Sequence, residues 1–413
     1  MKLEGLRVID LSMYLPGPHL TLMMADHGAE VIRVEPPGGD QSRHYGPYEP
    51  DDDGQPRSIW FRNLHRGKKS LCLNLKSDAG REVFLKLAET ADVVVEGFRP
   101  GVVDRLGIGY AAVKARNPRV VYCSISAFGQ TGPLAKKPSH DMGAQALTGL
   151  LALNDAGDGK PVVSGTAAAD LGSALTALVG ILMALYRRNA TGAGDYIDAT
   201  MYDILLSFTA HLNGSVLTEG KPPTTRTGRS IGGAAFYSIY ETKDGRHVAL
   251  TGREPKFAEA LLGYLGRPDL IDLCRLDDCV AQDPVREFLR GAFRQQTLAE
   301  WKQILPTMEV SWAPVLDMAE AFEEPHMAAR DMLLTDPQGR KHVGNPVKFR
   351  EEPAQIHFES PALGTDNAQL LRELGYPPRR GRQTDKRQCG RLGGSEAGFG
   401  LVLHTYIPCA WRD

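Results

Sequence analysis

The chain has 413 residues, 42% of them apolar and 24% charged, with a formal net charge of −2 at pH 7. This is an ordinary globular composition, long enough for two or more domains, and its charge offers no argument for nucleic acid or an anionic membrane as partner. The six cysteines (72, 123, 274, 279, 389 and 409) include no CxxC pair and no Cys/His metal spacing, so free thiols and no metal are expected.

LRVIDL (Leu6 to Leu11) reads as a buried strand reached without a basic or apolar leader, which points to a cytoplasmic rather than a secreted protein. A Pro/Gly turn at 15–18 follows, then a helix from His19 to His27 closed by Gly28, and a second strand, EVIRVE (Glu30 to Glu35). Strand, glycine turn, helix, strand is the βαβ unit of a parallel sheet. No GxGxxG is present, which disfavours a nicotinamide site, and a flavin is not expected either. Residues 36–58 are rich in Pro, Gly and Asp and read as a surface excursion near the mouth of a site.

The basic cluster Arg66, Lys68, Lys69 before the strand Leu71 to Leu75 is either a solvated turn or a place to grip a phosphate by charge-assisted hydrogen bonds. A helix at 79–88 and a strand at 93–95 lead to the loop EGFRPG (96–101) and a helix carrying Arg105. There Gly97 permits close backbone approach, Phe98 offers an aromatic face, and Arg99 and Arg105 offer guanidinium forks. Val120 to Ile125 is a further strand, followed by the loop GQTGP at 129–133.

The stretch from 137 to 203 holds the most chemistry. His140 and Asp141 follow that loop, and Asp170 comes thirty residues after His140, behind the small-residue run Gly165 to Ala169. Leu175, Leu178, Val179, Leu182, Met183 and Leu185 then recur at helical spacing, predicting a buried helix, and the apolar run at 174–186 is too short and too rich in Ala and Gly to span a bilayer. An Asp before a helix is ordinarily a cap. His140 and Glu254, which opens the helix-like run EPKFAEALLGYLG, supply an imidazole and a second carboxylate on separate elements, the usual makings of an acid/base site.

Residues 214–235 have linker composition. A hairpin at 237–242 and 247–251, helices at 255–265, 284–296 and 298–305, an extended 313–315 and a helix near 317–323 make a smaller α+β domain. The expected division is a large α/β domain over 1–213 completed by 335–377, a linker at 214–235, a small domain over 236–334, and an atypical basic, glycine-rich tail at 378–413 left out of the fold.

Taken together, LEGLRVIDLS, GPHLTLMMADHGAEVIRVEPPGGD, NLHRGKKSLCLNLKSDAGR, DVVVEGFRPGVVDRLGIGY, SISAFGQTGP, the 137–203 block, GGAAFYSIYETKDGRHVAL and APVLDMAEAFEEPHMAARDM resemble, in order, the family III CoA-transferases and the related α-methylacyl-CoA racemases. The resemblance runs to about residue 377, is formyl-CoA transferase-like in part, and implies a Rossmann-like parallel-sheet domain, a smaller α+β domain and interlocked homodimers. It makes CoA or acyl-CoA the substrate, together with a carboxylic acid, and places Gly17, Pro18, Arg33, Lys68, Lys69, Gly97, Phe98, Arg99 and Arg105 near CoA. Leu15 stands where the transferases have a Gln, and Gly232–Gly233 is the candidate for their glycine-rich active-site loop.

Two chemistries compete on this scaffold. In a transferase, Asp170 is the nucleophile that carries CoA between acids. In a racemase, His140 and Asp170 flank the carbon next to the thioester and exchange its proton, with Asp141 beside the histidine and Glu254 in a Glu-Pro motif, as the resemblance implies. The racemase-like His-Asp and Glu-Pro motifs are present, whereas the long 36–66 excursion and Gln145–Ala146 are transferase-like, so a CoA-transferase is the leading expectation. A non-catalytic CoA-binding protein is a remote third, since the acid at 170 is retained.

Overall fold

The structure, a computed structural model, describes residues 1–51, 54–155 and 158–376. The tail at 378–413 therefore lies outside the described residues. The chain divides into two compact units: one of Met1–Asp141, Ala168–Ile204 and the chain from Ala328, the other of Met142–Ala167 and Leu205–Met327. Residues 142–167 and 205–213, grouped with the large domain on sequence, thus cluster with the second unit.

The first unit is built on a six-stranded parallel sheet. Its strands are β1 (Arg7–Asp10), β2 (Glu30–Glu35), β3 (Lys69–Cys72), β4 (Val93–Glu96), β5 (Val121–Ser126) and β6 (Tyr196–Thr200). Their spatial order is β3-β2-β1-β4-β5-β6, with every pairing parallel. β4 and β5 are buried at every position, as expected of strands covered on both faces. The order reverses between β1 and β4, and ligands of such sheets bind outside the carboxyl ends of the strands at that reversal.

One face of the sheet is covered by α3 (Asp78–Ala88), α5 (Tyr110–Arg116) and a late helix, Asn367–Glu373, through Phe84, Val113 and Leu370. The other is covered by α1 (Pro16–Asp26) and α7 (Ala168–Thr191) through Leu20, Met24, Ala174, Ala177 and Ile181. Pro16 starts α1, whose start needs no N–H from that position. The excursion after β2 holds a 3₁₀ turn at Gln41–His44, a short hairpin (Tyr48–Pro50 with Pro56–Ser58) and α2 (Ile59–His65), a helix that the sequence reading missed.

α7 corrects two expectations. At 24 residues it is long and apolar enough to cross a membrane by length and composition alone, although Ala174, Ala177, Ile181 and Leu185 belong to the core against the sheet. It is also not buried all round: Leu175, Val179, Leu182, Met183 and Tyr186 form an exposed stripe, with Met183 66% and Tyr186 82% accessible.

In the second unit β7 (Tyr237–Glu241), β8 (His247–Thr251) and β9 (Trp312–Pro314) form an antiparallel sheet. Helices at Pro255–Tyr264, Asp283–Phe293 and Leu298–Ile304 cover it through Leu261, Leu289, Phe293 and Trp301. The supposed linker holds a helix, Gly214–Glu219, and a turn at Arg229–Gly233. That turn is anchored: the Gly233 carbonyl accepts from Arg286, and the Ala235 N–H donates to Gln282 at 2.9 Å.

Candidate active site

At the carboxyl end of β1 the chain turns sharply into α1. A side chain on Gly17 would come within 2.1 Å of the Ser12 Cβ, so only glycine lets the helix start close over the strand end. Gly97, just past β4, stands opposite: its Cβ direction meets Ser12 at 3.7 Å. The loops after β1 and β4 therefore border the crevice where the strand order reverses.

Under this loop lies a buried ionic network. The Asp10 carboxylate accepts from the Ser12 N–H (2.9 Å), the Ser12 and Thr21 hydroxyls (2.5 and 2.7 Å), Arg33 (3.2 Å) and the Lys68 ammonium (3.1 Å). Burial pushes the Asp10 carboxyl up, but Lys68 and Arg33 with the two hydroxyls outweigh it and hold it far below the usual range. Burial likewise pulls the Lys68 ammonium down to about 8. Lys68 also donates to the Pro18 carbonyl at 3.0 Å and Thr21 at 2.8 Å, tying the β1–α1 loop to β3.

Several residues of the expected CoA-contact set lie within this network. Arg33 is 1% accessible and committed to Asp10 and Asp40, and Lys68 is buried in the same network. Lys69 pairs with Glu30, and Arg66 with Asp26 at 2.8 Å. The charges of the cluster at 66–69 thus balance carboxylates within the fold rather than standing in a solvated turn. Gly17 and Pro18 are themselves buried.

The loop after β4 is different. Arg99 and Arg105 are exposed and make no hydrogen bond or ion pair among the described residues, and Phe98 is half-buried against the core. The Phe98 N–H donates to the Glu96 carboxylate at 2.7 Å. Glu96, which the sequence reading passed over, is 1% accessible, and burial pushes its carboxyl up to about 7 despite bonds to Ser124 and Phe98. Tyr196 donates to Ser124 at 3.0 Å. Gly101, Asp104, Tyr110, Ser124, Lys136 and Tyr196 line a cavity of about 450 Å³ beside this loop.

Asp170 sits in the first turn of α7, half-buried. The capping duty falls to another carboxylate: Asp141, first residue of α6 (Asp141–Leu147), accepts from the Ala169 N–H at 2.6 Å and the Asp170 N–H at 3.2 Å. The Asp170 side chain has no hydrogen bond or ion pair among the described residues. Burial, reinforced by the Asp141 charge, pushes its carboxyl up to about 6. The free anion nevertheless predominates at neutral pH, which a nucleophile or proton acceptor requires.

His140 is exposed, and its ring meets Tyr14 edge-on, with centroids 5.7 Å apart. Asp170, Asp141 and His140 are thus gathered within the first unit. Glu254 belongs to the second, exposed at the N-cap of its helix. Among the described residues no group of three or more His, Cys, Asp or Glu side chains is arranged to hold a metal ion.

The sequence pattern of CoA-transferase family III matches residues 3–367. The chain belongs to that family. It is 38% identical to an acetyl-CoA:oxalate CoA-transferase of Acetobacter aceti, over 91% of this chain and 96% of the relative. It is also 32% identical to the alpha-methylacyl-CoA racemase of Homo sapiens, over 91% of this chain and 94% of that one. The crystal structure of a CAIB/BAIF family protein from Brucella suis superposes with a TM-score of 0.78 at 30% identity, covering 90% of this chain and 99% of that one. The protein is accordingly a CoA-transferase-family enzyme, and the family match extends through both units.

Proposed function

We propose that the protein moves CoA from an acyl-CoA donor to a short dicarboxylic acid, with Asp170 as covalent nucleophile. The observation that carries this reading is the Asp170 carboxyl, half-buried, unpaired and relieved of capping by Asp141. The acid class is supported by the oxalate-using relative.

In the first step an Asp170 oxygen attacks the donor thioester carbonyl; the C–S bond breaks, leaving a mixed anhydride and CoA thiolate. The thiolate then attacks the Asp170 carbonyl carbon, breaking its anhydride C–O bond, so that the donor acid departs as carboxylate and an aspartyl-CoA thioester remains. The acceptor carboxylate repeats the two steps in reverse, which frees Asp170 and yields the new acyl-CoA. Each step needs a desolvated carboxylate and exclusion of water, since water would hydrolyse either intermediate. Arg99 and Arg105 are free to grip the phosphates of CoA, with Phe98 beside them and the β1–β4 crevice as its seat.

A second reading, proton exchange on an acyl-CoA, is supported by the exposed imidazole of His140, the residue before Asp141, and by the racemase relative. The two separate cleanly. Incubation with acyl-CoA and borohydride or hydroxylamine should trap a modified Asp170, visible by mass spectrometry, and CoA should pass to added dicarboxylate. Rapid α-deuteration of a 2-methylacyl-CoA in D2O, with no adduct and no need for an acceptor, decides for proton exchange instead.

We further propose that the working form is a homodimer. The exposed apolar stripe on α7 supports this, being larger than a solvated helix face ordinarily carries. Sedimentation at low concentration tests it, and a stable, active monomer rules it out.

A further inference from the structure

Tyr14 has a backbone conformation that its side chain disfavours. Its φ is 64°, and apart from Asp331 it is the only non-glycine residue at positive φ among the described residues. An aromatic residue in the left-handed region is strained and persists where surrounding contacts over-determine it, commonly at a ligand site. Two such contacts are present. The Tyr14 ring meets the His140 imidazole at 88°, and its hydroxyl donates to the Gln41 Oε1 at 2.8 Å.

Gln41 is held from the other side as well. It opens the 3₁₀ turn that Asp40 caps, by accepting from the Ser42 N–H at 2.7 Å, and Asp40 is itself locked to buried Arg33. The Tyr45 hydroxyl adds a second, longer bond to the same Oε1 at 3.3 Å. The Gln41 oxygen is taken by two phenols, and the amide N–H groups of this exposed side chain have no partner among the described residues. The result is a neutral donor presented from a rigid turn; Tyr14 links it to the ring of His140, the residue before Asp141, whose carboxylate accepts from the Asp170 N–H.

We infer that Tyr14 and Gln41 are the specificity-determining pair for the acceptor acid: the Tyr14 ring walls the acyl side of the Asp170 site, and the Gln41 amide donates to the second carboxylate of a dicarboxylic acid. The inference rests on the CoA-transfer reading. A hydrogen-bond donor suits this place better than a cation, because an exposed ion pair gains little in water, whereas an unmatched donor discriminates against an acid that lacks the second group.

The test compares succinate with butyrate, which share a carbon count and differ by one carboxylate, as CoA acceptors for the full-length enzyme. The wild type should favour succinate about tenfold or more in kcat/KM, the scale of one hydrogen bond to a charged group. Gln41→Leu and Tyr14→Phe should each lower that ratio towards unity, while calorimetric affinity for CoA stays within about twofold. Tyr14→Gly supplies the readout that a purely structural tyrosine does not share: relief of the left-handed strain should leave the melting temperature unchanged or raised while the preference collapses. A wild type that transfers CoA equally to both acids, or variants that keep the preference, overturns the pair and leaves the transfer reading standing. A Tyr14→Gly protein that melts well below wild type yet still prefers succinate makes Tyr14 structural and also overturns it. A wild type that transfers CoA to neither of these acids nor to oxalate removes the transfer reading and this inference together.

Discussion

Asp10 and Asp170 stand in the same unit and receive opposite treatment. Asp10, at the end of β1, is fully buried with two cations and two hydroxyls around it, and it is held as a permanent anion. Asp170, at the start of α7, has no cation, and its nearest charged neighbour, Asp141, is another acid. A carboxylate surrounded by cations is stable and unreactive, because any attack by it would first have to give up those bonds. One left unpaired beside a like charge is costly to fold around, and it keeps its lone pairs for chemistry. The contrast separates an acid that holds a loop in place from the acid proposed to react, although both are aspartates at the ends of secondary elements.

The strongest way to break this comparison is Asp170→Asn. It should lower CoA transfer by about 10⁴-fold or more, the scale for losing a nucleophile, with the melting temperature unchanged or slightly higher. Wild-type-like turnover in this variant would return Asp170 to the role of a mere helix-terminal residue.

Lys68→Met probes the other acid. Asp10 keeps Arg33 but loses its ammonium partner, and the Pro18 carbonyl loses a donor. Stability should fall by about 3 kcal/mol, the lower end of the cost of leaving a buried charge short of its partner. Denaturant melts with an unchanged midpoint would mean that the network contributes little to the fold.

Glu96 lies between the two extremes, buried without a cation, and its carboxyl is raised from 4.5 to about 7. Over that window the folded state holds a proton that the unfolded chain has lost, so stability should fall as pH rises and level off once Glu96 ionises. At about 1.4 kcal/mol per pH unit this amounts to roughly 3 kcal/mol between the two plateaus. Glu96→Gln imitates the protonated acid, accepting from Phe98 and donating to Ser124, and should remove this component. Parallel pH dependences of wild type and variant in thermal melts would rule the assignment out.

The smallest effect expected is the pH dependence of catalysis. If Asp170 is the nucleophile it must be ionised to attack; with its carboxyl pushed up to about 6 by burial, kcat/KM should then be flat above neutrality and fall about tenfold one unit below that value. A profile level down to the ordinary aspartate range would mean that burial of Asp170 in the free enzyme is relieved before reaction.

Much of this was written along the chain. Short, near-continuous apolar runs located β1, β2, β4 and β5, which are covered on both faces, and period-3.6 patterns located most helices, which bury one face. The β7–β8 hairpin was legible from its Lys243–Arg246 turn for the same local reason. Asp170, Asp141 and His140 stood out in the sequence as candidates for chemistry by residue type, with the small-residue run Gly165 to Ala169 leading to Asp170.

Charge pairing and burial were decided only by the tertiary structure. Lys68 meets Asp10 across 58 positions of sequence, and Asp141 caps a helix 28 residues away, so no local pattern separates a lysine that grips phosphate from one that neutralises a buried acid. The exposed stripe on α7 is equally invisible in sequence, since periodicity reports which residues share a face and not what covers it. The strained φ of Tyr14 and the raised carboxyl of Glu96 belong to the same class. Backbone strain and desolvation are set by what the rest of the fold packs around a residue, and that packing exists only once distant segments have come together.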